Sequence, residues 1–274
     1  MTFRKGCDAA MFALLFVLCV IGTSGKPSFP FSFSAISSFG QQQTDPPVLL
    51  KSYSGRRVDK NSLRMVYFHD QTVAVVELGP NKLLLNCEFI EIIEQNQVFE
   101  VLGELKAKAR PVAITFMEMI TLMNQCKQLE DRREKMKSEQ SKNNTMTTNE
   151  GRKLSNPFTL FSGIVPGTKW CGTGDIAKDY YDLGEDKMVD VCCRAHDLCP
   201  VKIRAYTKKY SLMNNSLYTK SHCKCDDDLF NCLRLANYSK TAQIMGNIYF
   251  NLVQVPCLED GKEGRQFRKA RTNF

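Results

Sequence analysis

The chain has few histidines and, over most of its length, few cysteines. Only three histidines occur in 274 residues, so few positions offer an imidazole for acid–base chemistry. Between Cys19 and Cys171 there are only two cysteines, Cys87 and Cys126, which excludes a dense disulfide framework in that part. Beyond the N-terminus no segment stays apolar for the roughly 20 residues that cross a bilayer, so we expect the mature chain to be soluble.

The N-terminus has the pattern of a secretory signal. Arg4 and Lys5 precede an apolar run over 9–21, and small residues follow up to Gly25. This order of charge, apolar run and small residues predicts a signal peptide over 1–25 and a secreted, extracellular protein. The net charge of +8 suits an anionic partner such as a lipid surface or a glycosaminoglycan, and no nucleic-acid partner is expected.

The first half of the mature chain predicts a small module without a chemical constellation. After a disordered lead-in over 26–47, β-branched and aromatic runs predict an antiparallel meander, and apolar residues at helical spacing follow from about Val112. We therefore predict an α+β module over 48–142, in which His69 is a plain strand-end histidine. Whether Cys87 pairs with Cys126 stays open.

A polar linker over 143–160 follows the module. It contains the basic pair Arg152-Lys153, and two interpretations stay open: a processing site that makes the module a removable pro-segment, or a solvated charge pair. Three Asn-x-Ser/Thr sequons, at Asn143, Asn214 and Asn237, are compatible with glycosylation of an exported protein.

The second half concentrates the chemistry. Eight cysteines lie between 171 and 257, and the stretch 192–200 holds three of them with a histidine and a carboxylate. In an exported chain such a cluster indicates disulfides rather than zinc. We predict a helix over 191–199 capped by Asp190, on which His196 shares a face with two cysteines while Asp197 points about 100° away, toward a cation ligand.

A second helix is predicted over 216–236, with cysteines at the same spacing of seven. If the two helices are antiparallel and disulfide-linked, one of the aspartates at 226–228 faces His196, although the register leaves open which one. The glycine-containing loop 165–175 is either a cage of carbonyl oxygens for calcium or an ordinary turn.

The region from about 163 to 257 resembles the secreted phospholipases A2 of group III, the bee-venom-like branch. The matching motifs, in the order and at the spacing of that family, are 170–174, 192–199, 223–227 and 248–252. The fold class that follows is a mainly α, disulfide-rich phospholipase A2 domain over 161–257, with two antiparallel disulfide-linked helices and a calcium loop, after the α+β module.

The resemblance also implies an activity, which is calcium-dependent hydrolysis of the sn-2 ester of glycerophospholipids at a membrane or lipoprotein surface. His196 would be the general base, Asp226 the acid that orients it, and Tyr249 a supporting hydrogen-bond partner. One Ca²⁺ would bind the side chain of Asp197 and three loop carbonyls, and the Gly172 amide would donate to the oxyanion. The three carbonyls would be those of Trp170, Gly172 and Gly174.

The resemblance further implies a disulfide pairing. The four pairs would be Cys171–Cys193, Cys192–Cys232, Cys199–Cys225 and Cys223–Cys257. One departure is the tail over 258–274, which is short, basic and free of cysteine; attraction to anionic lipid or glycosaminoglycan competes with a merely frayed terminus. The functional alternative is a non-catalytic secreted binding or receptor-ligand protein on the same scaffold.

Overall fold

The computed structural model describes residues 53–93, 97–106, 109–142 and 163–274, all within one compact unit. The predicted signal peptide, the lead-in and the whole linker, with Asn143 and Arg152-Lys153, lie outside the described residues. None of the described helices is long and apolar enough to span a bilayer.

The N-terminal module, taken from here on as residues 53–142, is built on a four-stranded sheet in the order β3-β2-β1-β4. The first three strands are antiparallel neighbours, and β4 pairs in parallel with β1. Asp70 takes φ 48° in the tight turn between β1 and β2, a conformation that aspartate tolerates better than most residues. The strands are Leu63–His69 (β1), Thr72–Leu78 (β2), Leu84–Glu91 (β3) and Pro111–Ala113 (β4).

Two helices cover opposite faces of this sheet. Alternate residues of a strand point to opposite sides, so Val73 and Val75 pack toward α1, Val98–Lys106, while Ala74 and Val76 pack toward α2, Phe116–Lys142. The meander was predicted correctly. The helix start near Val112 was wrong, because that residue lies in β4, and α1 was not predicted.

The C-terminal part, residues 163–274, contains three helices and several short strands. It is called the catalytic part from here on because the family resemblance assigns the expected activity to it. The predicted start of the active-site helix was wrong, because it begins at Lys187 rather than at Val191. The second helix is also shorter than predicted, since 220–221 belong to a strand. The helices are Lys187–Asp197 (α3), Cys223–Leu235 (α4) and Lys240–Gly246 (α5), the last continued by a π-helical turn over Asn247–Val253.

Short antiparallel strand pairs complete the catalytic part. Strand β5 pairs with β8, β6 with β7, and β9 with β10. The last pair forms the basic tail, which is therefore a folded hairpin rather than a frayed end. The strands are Lys202–Ile203 (β5), Lys208–Lys209 (β6), Leu212–Met213 (β7), Lys220–Ser221 (β8), Cys257–Gly261 (β9) and Gly264–Arg268 (β10).

Candidate active site

Two disulfides hold α3 against α4. Cys192 is bonded to Cys232 and Cys199 to Cys225, with Cα–Cα distances of 5.7 and 6.0 Å. Because the earlier cysteine of one helix pairs with the later cysteine of the other, the two helices run antiparallel. The structure also contains the other two pairings that the resemblance implied, Cys171–Cys193 and Cys223–Cys257.

This register brings His196 to a carboxylate of α4. Nε2 of His196 lies 2.8 Å from Oδ1 of Asp226. The neighbouring acids point elsewhere, since Asp227 pairs with arginines of the tail and Asp228 with Lys224. Of the three aspartates that the cysteine register left open, Asp226 is therefore the one that faces the imidazole.

Tyr249 approaches the same pair from the π-helical turn. Its hydroxyl lies 3.2 Å from Asp226 Oδ1 and 3.2 Å from His196 Nε2. Burial, together with the charge of Asp226, raises the pKa of Tyr249, so the phenol stays protonated and donates to the carboxylate. With Nε2–H and the phenol both donating to Asp226, Nδ1 of a neutral His196 keeps its lone pair for a proton.

The protonation of His196 depends on both neighbouring carboxylates. Burial alone would lower the pKa of His196, but Asp197 and Asp226 outweigh it and raise the pKa to about 9. Nδ1 of His196 and Oδ1 of Asp197 are 3.9 Å apart, so this contact acts through charge and not through a hydrogen bond. A cation held by Asp197 would offset its charge and favour the neutral imidazole that a general base requires.

Asp190 has a function that the sequence did not reveal. It lies inside the first turn of α3, fully buried, and is not the cap that was predicted. Its carboxylate accepts hydrogen bonds from the backbone amides of Lys169, Trp170 and Gly184 at 2.7 to 3.0 Å. One buried carboxylate thus fixes the glycine-containing loop to the helix that carries His196.

Gly172 lies where the two sides of that loop are bridged. Ile164 and Gly172 form an antiparallel bridge whose two hydrogen bonds run from Val165 N to Cys171 O and from Thr173 N to Gly163 O. In this type of pair the facing residues do not bond to each other, so the amide and carbonyl of Gly172 stay outside the bridge. A Cβ at Gly172 would lie 2.2 Å from Gly163 O, which explains the glycine.

The residues around Asp197 suit a hard cation. Oδ2 of Asp197 is buried without a hydrogen-bond partner in the described structure, and burial raises the pKa of this carboxyl to about 6. A carboxylate oxygen without a partner matches the oxygen ligands that calcium prefers. The described residues contain no group of three or more His, Cys, Asp or Glu side chains placed to hold a metal, and a site of one carboxylate and backbone carbonyls needs none.

Other residues singled out in the sequence have structural roles. At the end of β1, His69 donates from Nδ1–H to Ile114 O, 2.8 Å away, and Cys87 is bonded to Cys126. The glycosylation prediction for Asn214 was wrong, because this side chain is fully buried and donates to three backbone carbonyls. Asn237 is exposed.

Comparisons with known proteins agree with this geometry. The family described as phospholipase A2 matches residues 164–261. Phospholipase A2 isozymes of Heloderma suspectum are 44% identical to the chain over 96 residues, which is 35% of this chain and 66% of the relative. Phospholipases A2 of Apis cerana cerana and Apis mellifera are each 38% identical over 94 residues, 34% of this chain and 70% and 56% of the relatives.

The disulfide-linked helix pair and the contact between His196 and Asp226 thus define a scaffold of the hydrolase class. The residues that match the family include all three helices of the catalytic part. The chain belongs to the phospholipase A2 family, in its group III, bee-venom-like branch. The similarity covers the catalytic part only, and the chain spans just under two thirds of the length of the Heloderma relative.

Proposed function

We propose that the protein is a secreted phospholipase A2 that hydrolyses the sn-2 ester of glycerophospholipids with calcium, releasing a fatty acid and a lysophospholipid. The observation that carries this proposal is the His196–Asp226 contact of 2.8 Å beside the buried, unpartnered oxygen of Asp197. A histidine oriented by one carboxylate next to a second carboxylate free to bind a cation is the equipment for ester hydrolysis by water.

In the proposed reaction, Nδ1 of His196 takes a proton from a water molecule while the oxygen of that water attacks the ester carbonyl carbon. The imidazolium that forms is stabilised by Asp226, which accepts from Nε2–H. When the tetrahedral intermediate collapses, the bond to the glycerol oxygen breaks and the imidazolium returns its proton to that oxygen. The proton count is balanced, and the histidine ends neutral.

The remaining groups stabilise negative charge. The side chain of Asp197 and the carbonyls of Trp170, Gly172 and Gly174 would hold one calcium ion, which supplies an electrophile for the substrate phosphate and the carbonyl oxygen. The amide of Gly172 is free of the loop bridge and would donate a hydrogen bond to the developing oxyanion. Asp190 keeps this amide and these carbonyls in place through the loop.

The proposed substrate surface is a phospholipid membrane or lipoprotein outside the cell. Contact with anionic lipid or glycosaminoglycan through the tail is a weaker part of the proposal. Arg265, Arg268 and Arg271 are each paired with an acid in the structure, so the attraction would depend mainly on Lys262 and Lys269. Nothing in the site favours the non-catalytic binding protein, since both His196 and Asp197 are present.

Hydrolysis of phosphatidylcholine vesicles by the full chain, with calcium and with a calcium chelator, tests the proposal. We expect fatty-acid release only with calcium. His196→Gln should lower the rate by about 10²- to 10⁴-fold, the usual contribution of a general base. His69→Gln is the matched control, because His69 contacts only the module, and it should retain the wild-type rate.

Two results would contradict the proposal in different ways. A His196→Gln protein as active as the wild type would remove the assigned base. A wild-type protein that binds vesicles but releases no fatty acid at millimolar calcium would favour the binding protein instead.

A further inference from the structure

The N-terminal module packs against the catalytic helix pair and against the chain that follows α3. Ile120 of α2 packs against Cys199 and Cys225, and Lys127 Nζ lies 2.7 Å from Cys232 Sγ. A cavity of about 190 Å³ under α2 borders His196 and is also lined by residues of α4. The residues of α4 that line it are Cys225, Asp228, Leu229, Asn231, Cys232 and Leu235.

The two parts share apolar cores. Met119 of α2 and Phe89 of β3 form one buried cluster with Tyr180 and Leu198 of the catalytic part. Elsewhere Phe116 packs against the buried cluster formed by Val201, Ile203 and Leu258. Neither part buries these side chains alone, so separation would expose apolar surface on both.

The turn between β1 and β2 binds the chain at the end of α3. Thr72, which is fully buried, donates from Oγ1 to Leu198 O at 2.9 Å. Gln71 donates from its backbone amide to Pro200 O at 3.2 Å and from Nε2 to Lys202 O at 2.8 Å. Carbonyls at and beyond a helix C-terminus lack intrahelical partners, so the module supplies partners directly after the histidine-bearing helix.

The charges at this interface are complementary. In each of its ion pairs among the described residues, the module contributes the acid and the catalytic part the base. Two of the bases are almost fully buried, Arg194 at 2% and Lys202 at 4% exposure, and a buried charge without its partner is strongly destabilising. The pairs are Glu130 with Arg194, Glu91 with Lys202 and Arg204, and Asp70 with Lys209.

No disulfide in the described structure crosses this interface. Cys87–Cys126 lies within the module, and the other four bridges lie within the catalytic part. Apart from the linker, the module is therefore held by non-covalent contacts alone.

We propose that the N-terminal module is a permanent, non-covalent brace on the catalytic helix pair, and that it remains bound when the linker is cut. It holds the C-terminal end of α3, and with it His196, in position through the contacts of Gln71, Thr72 and Ile120. The module is thus a positioning element and not a removable inhibitor. The effect on turnover rests on the proposed phospholipase activity, whereas the lasting attachment does not.

The attachment is tested with a specific protease site introduced between residues 150 and 151. After complete cleavage, we expect both fragments to elute as one particle in non-reducing size exclusion and to separate only in denaturant. Two separate native peaks would overturn the proposal whatever the protein's activity.

A matched pair of variants tests the interface itself. Ile120→Asp places a charge at a position that is 5% exposed against the Cys199–Cys225 bridge, and Met117→Asp places the same charge at a position of the same helix that is 56% exposed. In the cut protein, Ile120→Asp should release the module and Met117→Asp should not. If both variants keep the module as firmly as the wild type, the assigned contact surface is wrong.

Turnover in the uncut chain separates a brace from an inhibitor. Trp170 is the only tryptophan, so its fluorescence, with circular dichroism, shows that the loop and helices remain folded in each variant. In folded Ile120→Asp we expect kcat on vesicles to fall at least tenfold, with Met117→Asp at the wild-type value. A higher rate in Ile120→Asp would make the module an inhibitor, and an unchanged rate in a cut variant that has released it would deny any positioning role.

Discussion

The two parts of the molecule bury carboxylates for different purposes. In the module, Glu77 is 2% exposed and faces Arg64, with Glu77 Oε1 and Arg64 Nη2 3.1 Å apart, so the pair serves the sheet. In the catalytic part, Asp190 and Asp226 are equally buried but accept from loop amides and from His196. Burying a carboxylate is costly unless it is hydrogen-bonded. At Glu77 a cation offsets that cost, whereas in the catalytic part the groups that the proposed chemistry uses offset it.

The two parts also differ in the interactions that stabilise their folds. The module has one disulfide and two apolar layers on a sheet. The catalytic part has four disulfides around short elements, which constrain its geometry where the apolar core is small. We therefore expect the activity of the catalytic part to depend on the relative position of its helices, and the stability of the module to depend on the packing of its apolar side chains.

The largest expected effect is at the orienting carboxylate. Asp226→Asn removes the charge that fixes the His196 tautomer, and we expect kcat to fall by about 10²-fold or more with stability little changed. Asp228→Asn, two residues away, removes a carboxylate that pairs with Lys224 and acts on the charge of Lys127 but makes no hydrogen bond with His196, and it should keep the wild-type rate. Steady-state kinetics on vesicles measures both. Equal losses would mean that local charge, and not the contact with His196, carries the effect.

The next largest effect is expected on removal of a disulfide, which should lower activity in the catalytic part more than in the module. Cys199 with Cys225, and Cys87 with Cys126, close loops of 26 and 39 residues, so replacing either pair by alanine should lower the free energy of unfolding by a similar amount, about 2 to 5 kcal/mol. Only the first bridge sets the register of His196 against Asp226. Its loss should therefore lower kcat at least tenfold more than loss of the module bridge.

Chemical denaturation gives the stabilities, and kcat is measured at a temperature at which both variants are folded. If the two disulfide variants lose activity only in proportion to their loss of stability, the Cys199–Cys225 bridge has no separate effect on the position of His196.

The local sequence pattern was sufficient to predict β1 to β3 of the module, but not β4 or the module's long-range contacts. Runs of β-branched and aromatic residues predicted β1 to β3, because such residues favour strands. The helix was placed too early because Val112 belongs to β4, whose partner β1 lies more than 40 residues earlier in the chain. The contact of Thr72 with Leu198 spans 126 residues, and no pattern in the sequence indicates it.

At the site, the cysteine spacing predicted which stretch meets His196, but the choice of Asp226 came from the family resemblance. A helix turns by about 100° per residue, so a register uncertain by one turn cannot separate three consecutive aspartates. Asp190 was misassigned because an acid before an apolar helical pattern also suits an N-cap. Only the start of α3 at Lys187 shows that Asp190 is inside the helix and free to bind the loop.

The smallest expected effect is a pair of opposite stability changes within the module. Burial raises the pKa of Glu88, which accepts hydrogen bonds from the backbone amide and the hydroxyl of Ser54. For Glu77, burial alone would raise the pKa, but hydrogen bonds from Val58 and Arg64 outweigh it and lower the pKa.

These directions fix the dependence on pH. A carboxyl with a raised folded pKa favours folding while protonated and loses that advantage as the pH rises through the folded value; one with a lowered pKa stabilises above its unfolded value and loses this as the pH falls through the folded value. At pH 7, Glu88→Gln should therefore stabilise the protein and Glu77→Gln should destabilise it. Thermal unfolding of the full chain at pH 7 and pH 4 measures both, with each difference smaller at pH 4. If Glu88→Gln is destabilising at pH 7, that carboxylate has a partner in the module as effective as Arg64 is for Glu77, and the contrast between the two acids fails.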